Sequence, residues 1–239
     1  MIEPVSSETS EGWTFKPLAP GTRWLTKLIL SRLVKSRGTY QPIILNGRVL
    51  RQGGRDCVAR WSVIDSIMVE TDSQSMLDIG CAEGYFVRHA AKHGRVALGI
   101  DGDIRSITIA QSLALLEGLS GAAFMHLFIT PEIVRSLPQF DTVIFLSVLH
   151  HVLTDRGPDE AHKLMQAIHS ATRKRLIFDM GQSNETTYPW SKILPPMVPD
   201  PASWISQFLL DCGFSSVQVI GQSDGYLQAH PRLLFVATP

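Results

Sequence analysis

From about residue 75 onward, short apolar runs alternate with segments in which apolar positions recur every three or four residues. The runs Ser75–Ile79, Val96–Ile100, Ala122–Leu127, Phe140–Leu146 and Arg175–Met180 read as strands. Between and after them lie helical patterns at Tyr85–His93, Ile104–Glu117, Pro131–Leu137, Asp159–Ala171 and Pro201–Cys212, the last of which Gly213 is placed to cap. Nearly continuous apolar strands separated by helices predict a mainly parallel sheet covered on both faces. The rhythm breaks at the end. Ser216–Ile220 and Leu233–Ala237 are two strands with too little chain between them for a crossover helix, so an antiparallel last strand is expected.

The first part of the chain follows other rules. Met1 to about Pro20 is rich in Ser, Glu, Thr and Pro with little to bury, and is expected to be mobile or to lie over the surface. From Thr22, the residues Trp24, Leu25, Leu28, Ile29 and Val34 alternate with Arg23, Lys27, Arg32 and Lys35. That spacing predicts an amphipathic helix ended by Gly38, with its apolar stripe packed on the core. Asn46-Gly47 marks the turn of a short hairpin within residues 41–54, and Cys57–Glu70 has helical spacing. The expected division is an N-terminal extension over residues 1–56 and one α/β domain over residues 57–239. A chain of 239 residues leaves no room for a second catalytic domain.

Charge changes this picture at one end only. The chain carries 22 basic and 22 acidic residues, yet the first 55 hold nine basic against three acidic ones. A basic arm on a mildly acidic domain suits phosphate groups, a nucleic acid or an anionic membrane surface, or is simply a solvated face. Cys57, Cys81 and Cys212 have neither metal-ligand spacing nor a paired framework, so no metal is expected and a reducing cytoplasm is the default. No apolar run approaches the eighteen or more residues of a membrane span. A cytoplasmic protein of unknown oligomeric state is the reading.

The chemistry concentrates where the first core strand ends. In Asp78-Ile79-Gly80-Cys81-Ala82-Glu83-Gly84, a strand closes on an acid and passes through a glycine turn into a helix. Glycines at 80 and 84 let the backbone bend and approach a ligand, while amides at the helix start are expected to point into the same space. Asp101, followed by Gly102, ends the second strand, where a carboxylate is placed to hold the two hydroxyls of a ribose.

Dinucleotide dehydrogenases use G-x-G-x-x-G here, whereas this chain has D-x-G-x-A-x-G, which resembles the first motif of class I S-adenosylmethionine (SAM) methyltransferases. The segment Phe140–His151, with Leu146-Ser147-Val148-Leu149-His150-His151, looks like the fourth strand of that family and the loop that closes over the methyl donor. The resemblance covers about residue 61 to the C-terminus. It implies a Rossmann-like sandwich with a mainly parallel seven-stranded sheet and an antiparallel last strand. It implies SAM as cofactor, with Asp78 near the ammonium group, Gly80, Cys81 and Gly84 forming the turn, Asp101 and Gly102 at the ribose, and Leu127 and Leu146 lining the site. The acid common in the family at the end of strand three has no counterpart in Ala123–Thr130. Adenine is then expected to rest on backbone and on Leu127 or Phe128, with His126 the nearest polar side chain.

His150 and His151 follow strand four, where either is a candidate general base or pocket lining, with His151 favoured. Asp179, Gln182 and Tyr188 around the end of strand five, together with Arg55 and Arg60, are candidates for the methyl acceptor. Five prolines from Pro189 to Pro201 suggest a stiff lid. After strand four the chain lacks the Pro-Pro-Tyr signature of amide- or base-nitrogen methylation. The segments Gly53–Ile64, Leu146–Val152 and His230–Ala237 resemble the methyltransferase part of bacterial O-antigen chain-terminating enzymes. The expected acceptor is a hydroxyl on a sugar, glycan or other small molecule. An RNA-modifying methyltransferase, for which the basic arm would be the footprint, is possible but not favoured, and a SAM-binding protein without catalysis is the third reading.

Overall fold

In the computed structural model, residues 20–36, 40–225 and 228–239 are described. The expectations for residues 1–19 and for Gly38 as a helix stop fall outside them. The chain opens with helix α1 (Pro20–Ser36), the hairpin strands β1 (Ile43–Leu45) and β2 (Arg48–Arg51), and helix α2 (Cys57–Glu70). Strands and helices then alternate: β3 (Ser75–Ile79), α3 (Tyr85–Lys92), β4 (Val96–Asp101), α4 (Ile104–Glu117), β5 (Ala122–His126), α5 (Pro131–Ser136) and β6 (Phe140–Leu146). After β6 come α6 (Leu149–Arg156), α7 (Pro158–Ala171), β7 (Thr172–Asp179), a 3-10 turn at Pro189–Lys192, α8 (Pro201–Asp211), β8 (Ser216–Gly225) and β9 (Gln228–Thr238).

The main sheet has seven strands in the order β5-β4-β3-β6-β7-β9-β8. The β3–β4, β3–β6, β4–β5 and β6–β7 pairings are parallel. β9 runs antiparallel to both β7 and β8, as the short connection between the last two strands predicts. The chain reverses direction in strand order between β3 and β6, which opens a crevice beyond their carboxyl ends. Central β6 is buried along its whole length, which explains the apolar run Val143–Leu146 that ends it.

Two apolar layers hold the sheet. One joins β3, β6 and β7 to α6, α7 and α8 through residues such as Phe145, Ile168, Phe178 and Leu209; the other joins Trp61, Ile64 and Met68 of α2 to Phe86 and Val87 of α3. Polar caps define the helix starts. Asp56, Asp103, Thr130 and Asp200 each accept an amide from the first turn of the helix that follows.

Two expectations need correction. His150 and His151 lie within helix α6, not on a loop, because Leu149 and Leu153 turn inward at helical spacing and anchor that segment in the core. Helix α1 buries only Val34 of the expected stripe, together with Leu30 outside it. Leu30 and Val34 are buried against Ile109, Leu113 and Leu116 of α4, whereas Trp24 (66% exposed), Leu25, Leu28 and Ile29 face outward. This helix is apolar on two sides, and periodicity alone cannot choose which side meets α4.

Candidate functional site

The crevice begins at the turn after β3. Gly80 (φ +79°) and Gly84 (φ +72°) adopt the left-handed backbone that glycine tolerates, and Ala82 shares it at φ +45°. A Cβ at Gly80 would collide with the side chain of Val148, and one at Gly84 would sit 2.8 Å from the Ala110 Cβ. Most of the turn amides expected to be free are already donated. Gly80 and Cys81 donate to the Ile100 carbonyl, Gly84 to the Cys81 carbonyl, Ala82 to Asp101 Oδ2 (2.8 Å), and Tyr85 to Gln41 Oε1 (2.8 Å). The turn therefore presents a shaped backbone surface and not a nest of donors for a phosphate. Residues ahead of β1 complete it, since Glu83 accepts the amides of Tyr40 (3.1 Å) and Gln41 (2.9 Å).

Asp101 joins two loops across the crevice. Its Oδ2 takes the Ala82 amide and its Oδ1 the Asp103 amide, both at 2.8 Å. Its side chain faces a cleft of about 610 Å³ whose lining includes Gly80, Gly102, Leu127, Phe128, Leu146 and His151. The Phe128 ring lies over Gly102, where a Cβ would come within 2.8 Å of it. His126 is occupied elsewhere, with Nε2 3.0 Å from the Gly102 carbonyl oxygen. Asp78, at the end of β3, and Cys81 and Gly84, within the turn, are buried and do not line the cleft. Asp78 is buried, and its Oδ2 has no hydrogen-bond partner among the described residues. Burial, reinforced by the Asp101 charge, pushes its carboxyl up to about 8.

A smaller recess of about 170 Å³ adjoins the cleft, lined by Tyr40, Ser147, His150, His151, Tyr188, Trp190 and Arg232. Tyr40, Ser147 and His151 belong to both spaces and form the passage between them. Ser147 has φ +60°, uncommon for a residue with a side chain. Its hydroxyl donates to Asp179 Oδ1 (2.8 Å) and accepts from Arg55 Nη2 (3.2 Å) and Arg232 Nη1 (3.1 Å). Behind it, Asp179 pairs with both Arg55 and Arg60. Burial pulls the Arg60 guanidinium down to about 10, which leaves it cationic at neutral pH. Arg55 and Arg60 line neither space.

The other wall is aromatic. Tyr188 stacks on Trp190 with ring centres 5.1 Å apart and planes 14° from parallel. Trp190 in turn lies 4.6 Å from the His150 ring and 5.6 Å from the Arg232 guanidinium carbon. Gln182 is buried, its backbone N–H donating to Glu185 Oε1 at 2.8 Å. The proline-rich segment is not a free lid, because Leu194 and Met197 are sunk in the core and only its start forms a wall.

The two histidines differ in kind. His150 is buried, and its Nδ1 accepts the Gly181 amide at 3.1 Å, so the proton of the neutral ring resides on Nε2. Desolvation, with His151 next in weight, pulls its pKa down to about 2. His151 is exposed to both spaces, and desolvation holds it below the usual histidine value against the pull of Asp155.

Sequence reasoning missed Arg232 and Glu185, a fully buried bidentate pair at 2.8 and 2.7 Å that joins β9 to the loop after β7. The available signal was a lone cation heading the apolar run Leu233–Ala237. Nothing in the sequence connects it with Glu185, 47 residues away.

Residues 77–175 match a family model described as a methyltransferase domain. The chain is 29% identical over 209 residues to the O-antigen chain terminator bifunctional methyltransferase/kinase WbdD of Escherichia coli, covering 83% of this chain and 27% of that protein. It thus spans about a quarter of that relative's length. A solved structure of the bifunctional kinase-methyltransferase WbdD superposes with a TM-score of 0.73 at 26% identity, over 87% of this chain and 46% of the other. Magnesium protoporphyrin IX methyltransferase from Synechocystis PCC 6803, solved with bound SAM, shares the fold with a TM-score of 0.54 at 22% identity, over 76% and 80% of the two chains.

Proposed function

Starting from a chain that carries a class I SAM-dependent methyltransferase domain, we propose that it methylates a hydroxyl group on a sugar, a glycan or another small molecule. The residues present fit the cofactor. The buried Asp78 carboxyl lacks a partner that an ammonium group would supply, Asp101 keeps acceptor capacity for ribose hydroxyls, and Leu127 and Phe128 offer apolar contacts to adenine. A dinucleotide pyrophosphate fits poorly, because the turn amides it would need are already donated. When bound, SAM supplies an electrophilic methyl group on a sulfonium centre.

The observation that carries the acceptor reading is the recess joined to the cofactor cleft at Ser147 and His151. Its stacked Tyr188–Trp190 wall suits the apolar face of a sugar ring, and its fixed polar groups suit hydroxyls. In this reading His151 accepts the proton of the attacking hydroxyl: its open position gives access, and its lowered pKa keeps the ring unprotonated near neutral pH. His150 positions the site as a neutral ring, with Nδ1 held by the Gly181 amide. Ser147, fixed by Asp179 and two guanidiniums, orients the acceptor and helps exclude water. A glycan acceptor also agrees with the O-antigen relative, of which the chain matches only a part.

Incubation with methyl-labelled SAM and extracts separated into glycan, small-molecule and RNA fractions tests the proposal. Label in the glycan or small-molecule fraction, stable to conditions that cleave methyl esters, is the expected result. Label confined to RNA would replace it with the nucleic-acid reading.

A further inference from the structure

The methyl-transfer site leaves one surface of the protein unused. The outward face of α1 carries Trp24, Leu25, Leu28 and Ile29, which are 66, 50, 36 and 41% exposed, interleaved with the exposed cations Lys27, Arg32 and Lys35. The neighbouring hairpin adds exposed Val49 and Leu50 next to Arg48. Helix and hairpin flank a groove of about 560 Å³. Leu30, Val34, Leu45 and Leu116 form its floor, and Arg23, Lys27, Lys35 and Arg48 stand at its rim. Residues 20–55 contain no Asp or Glu. Glu117, the carboxylate at the end of α4 beside the groove, is paired with Arg88 and Lys92.

We propose that this face docks the protein onto an anionic lipid bilayer. Trp24, Leu25, Leu28 and Ile29 enter the headgroup and acyl boundary, while the long stems of Lys27, Arg32 and Lys35 carry their charges up to lipid phosphates. The charge of the face selects this occupant over others. A second copy of the chain would bring cations against cations across a two-fold interface. A nucleic acid would meet the charges but would leave the aliphatic side chains exposed, and among these four only Trp24 offers a ring for a base. The helix that carries this face is tied to the edge of the cleft: Arg105, two residues past the cleft-lining Asp103, donates to the Leu33 carbonyl of α1 at 2.6 Å. Docking would therefore hold the cleft near the lipid surface, within reach of an acceptor carried there.

Co-sedimentation of the full chain with phosphatidylcholine vesicles, with or without phosphatidylglycerol, tests the inference. Pelleting with the phosphatidylglycerol vesicles alone, weakened by salt, is expected. Lys27→Ala and Arg32→Ala should each lower the partition coefficient by roughly fivefold. Trp24→Ser with Leu28→Ser should abolish pelleting at any salt while leaving SAM affinity and far-ultraviolet circular dichroism as in the parent chain. Full competition by inorganic phosphate would turn the groove into a small-anion site and overturn the bilayer. The inference also fails if the chain stays in the supernatant at low salt, or if the Trp24/Leu28 variant pellets like the parent. Salt-sensitive RNA binding without vesicle binding, or a dimer that the same variant dissociates, would overturn it as well.

Discussion

His150 and His151 are neighbours on one helix turn, yet one ring is buried with its Nδ1 committed to the Gly181 amide and the other opens onto both spaces of the site. Replacing His151 with Ala is expected to lower turnover about a hundredfold while SAM affinity stays nearly unchanged. A base of the kind proposed for His151 works unprotonated, so turnover should fall as pH drops through its pKa. Because desolvation depresses that value, the acid limb should lie below about pH 6.5. A pH profile in which His151→Ala keeps the same acid limb would return the residue to a lining role. Asp78 acts in the opposite sense. Its folded-state carboxyl is raised from 3.8 to about 8, so between these values the folded apo-protein holds a proton that the unfolded chain has lost. Apo stability should then decline with rising pH across that window, by up to about 1.4 kcal/mol per pH unit. Denaturant midpoints of Asp78→Asn should lack this slope, and retention of it would remove Asp78 as its source. For Asp101→Ala, calorimetry should show SAM affinity weakened by roughly 1.5–3 kcal/mol, as the proposed ribose acceptor and the brace between two loops disappear together.

Among the elements, the β3–turn–α3 unit works by backbone shape. Gly80 combines φ +79° with the Val148 side chain lying against its α-carbon, so Gly80→Ala must strain the backbone and also displace Val148. A loss of about 1–3 kcal/mol in stability is expected, together with weaker SAM binding, since Gly80 lines the cleft. Unchanged SAM affinity in a folded Gly80→Ala protein would show that the turn does not touch the cofactor. Helix α6 serves the site differently. Leu149 and Leu153 fix it in the core, and this inward face orients His151 toward the passage between cleft and recess. The segment just before the hairpin reaches the same turn from the other side, through Gln41 on the Tyr85 amide and Glu83 on the Tyr40 and Gln41 amides.

At the scale of the whole molecule, buried charge ties distant segments to the strand ends. Arg55 and Arg60 from the region of α2 meet Asp179 of β7, while Arg232 of β9 meets Glu185, and Ser147 links the two pairs. Breaking one side of such a pair strands a buried charge, so Glu185→Gln should cost about 3–5 kcal/mol in unfolding free energy. Replacing both partners, Glu185→Leu with Arg232→Met, should recover most of that loss because two apolar side chains need no partner. Methyl transfer should stay impaired in the double variant, since Ser147 loses a donor and the recess loses its cation. Full recovery of both stability and turnover would make the pair purely structural.

The alternation of apolar runs with helical spacing was sufficient to predict the strands and every helix of the α/β domain except α6, together with the parallel sheet and its reversed last strand. Those features follow from local periodicity and from how much chain lies between the strands. The turn at Gly80–Gly84 and the acid at Asp101 were equally legible, because backbone freedom and a carboxylate at a strand end are local properties. The outer face of α1, the helical setting of the two histidines, the capping of the turn amides by Gln41 and Asp101, and the Arg232–Glu185 pair emerged only in three dimensions. Each depends on which partner a face or charge meets across tens of residues. A helix with two apolar sides, or a cation at the head of an apolar strand, leaves that choice open until the chain has packed.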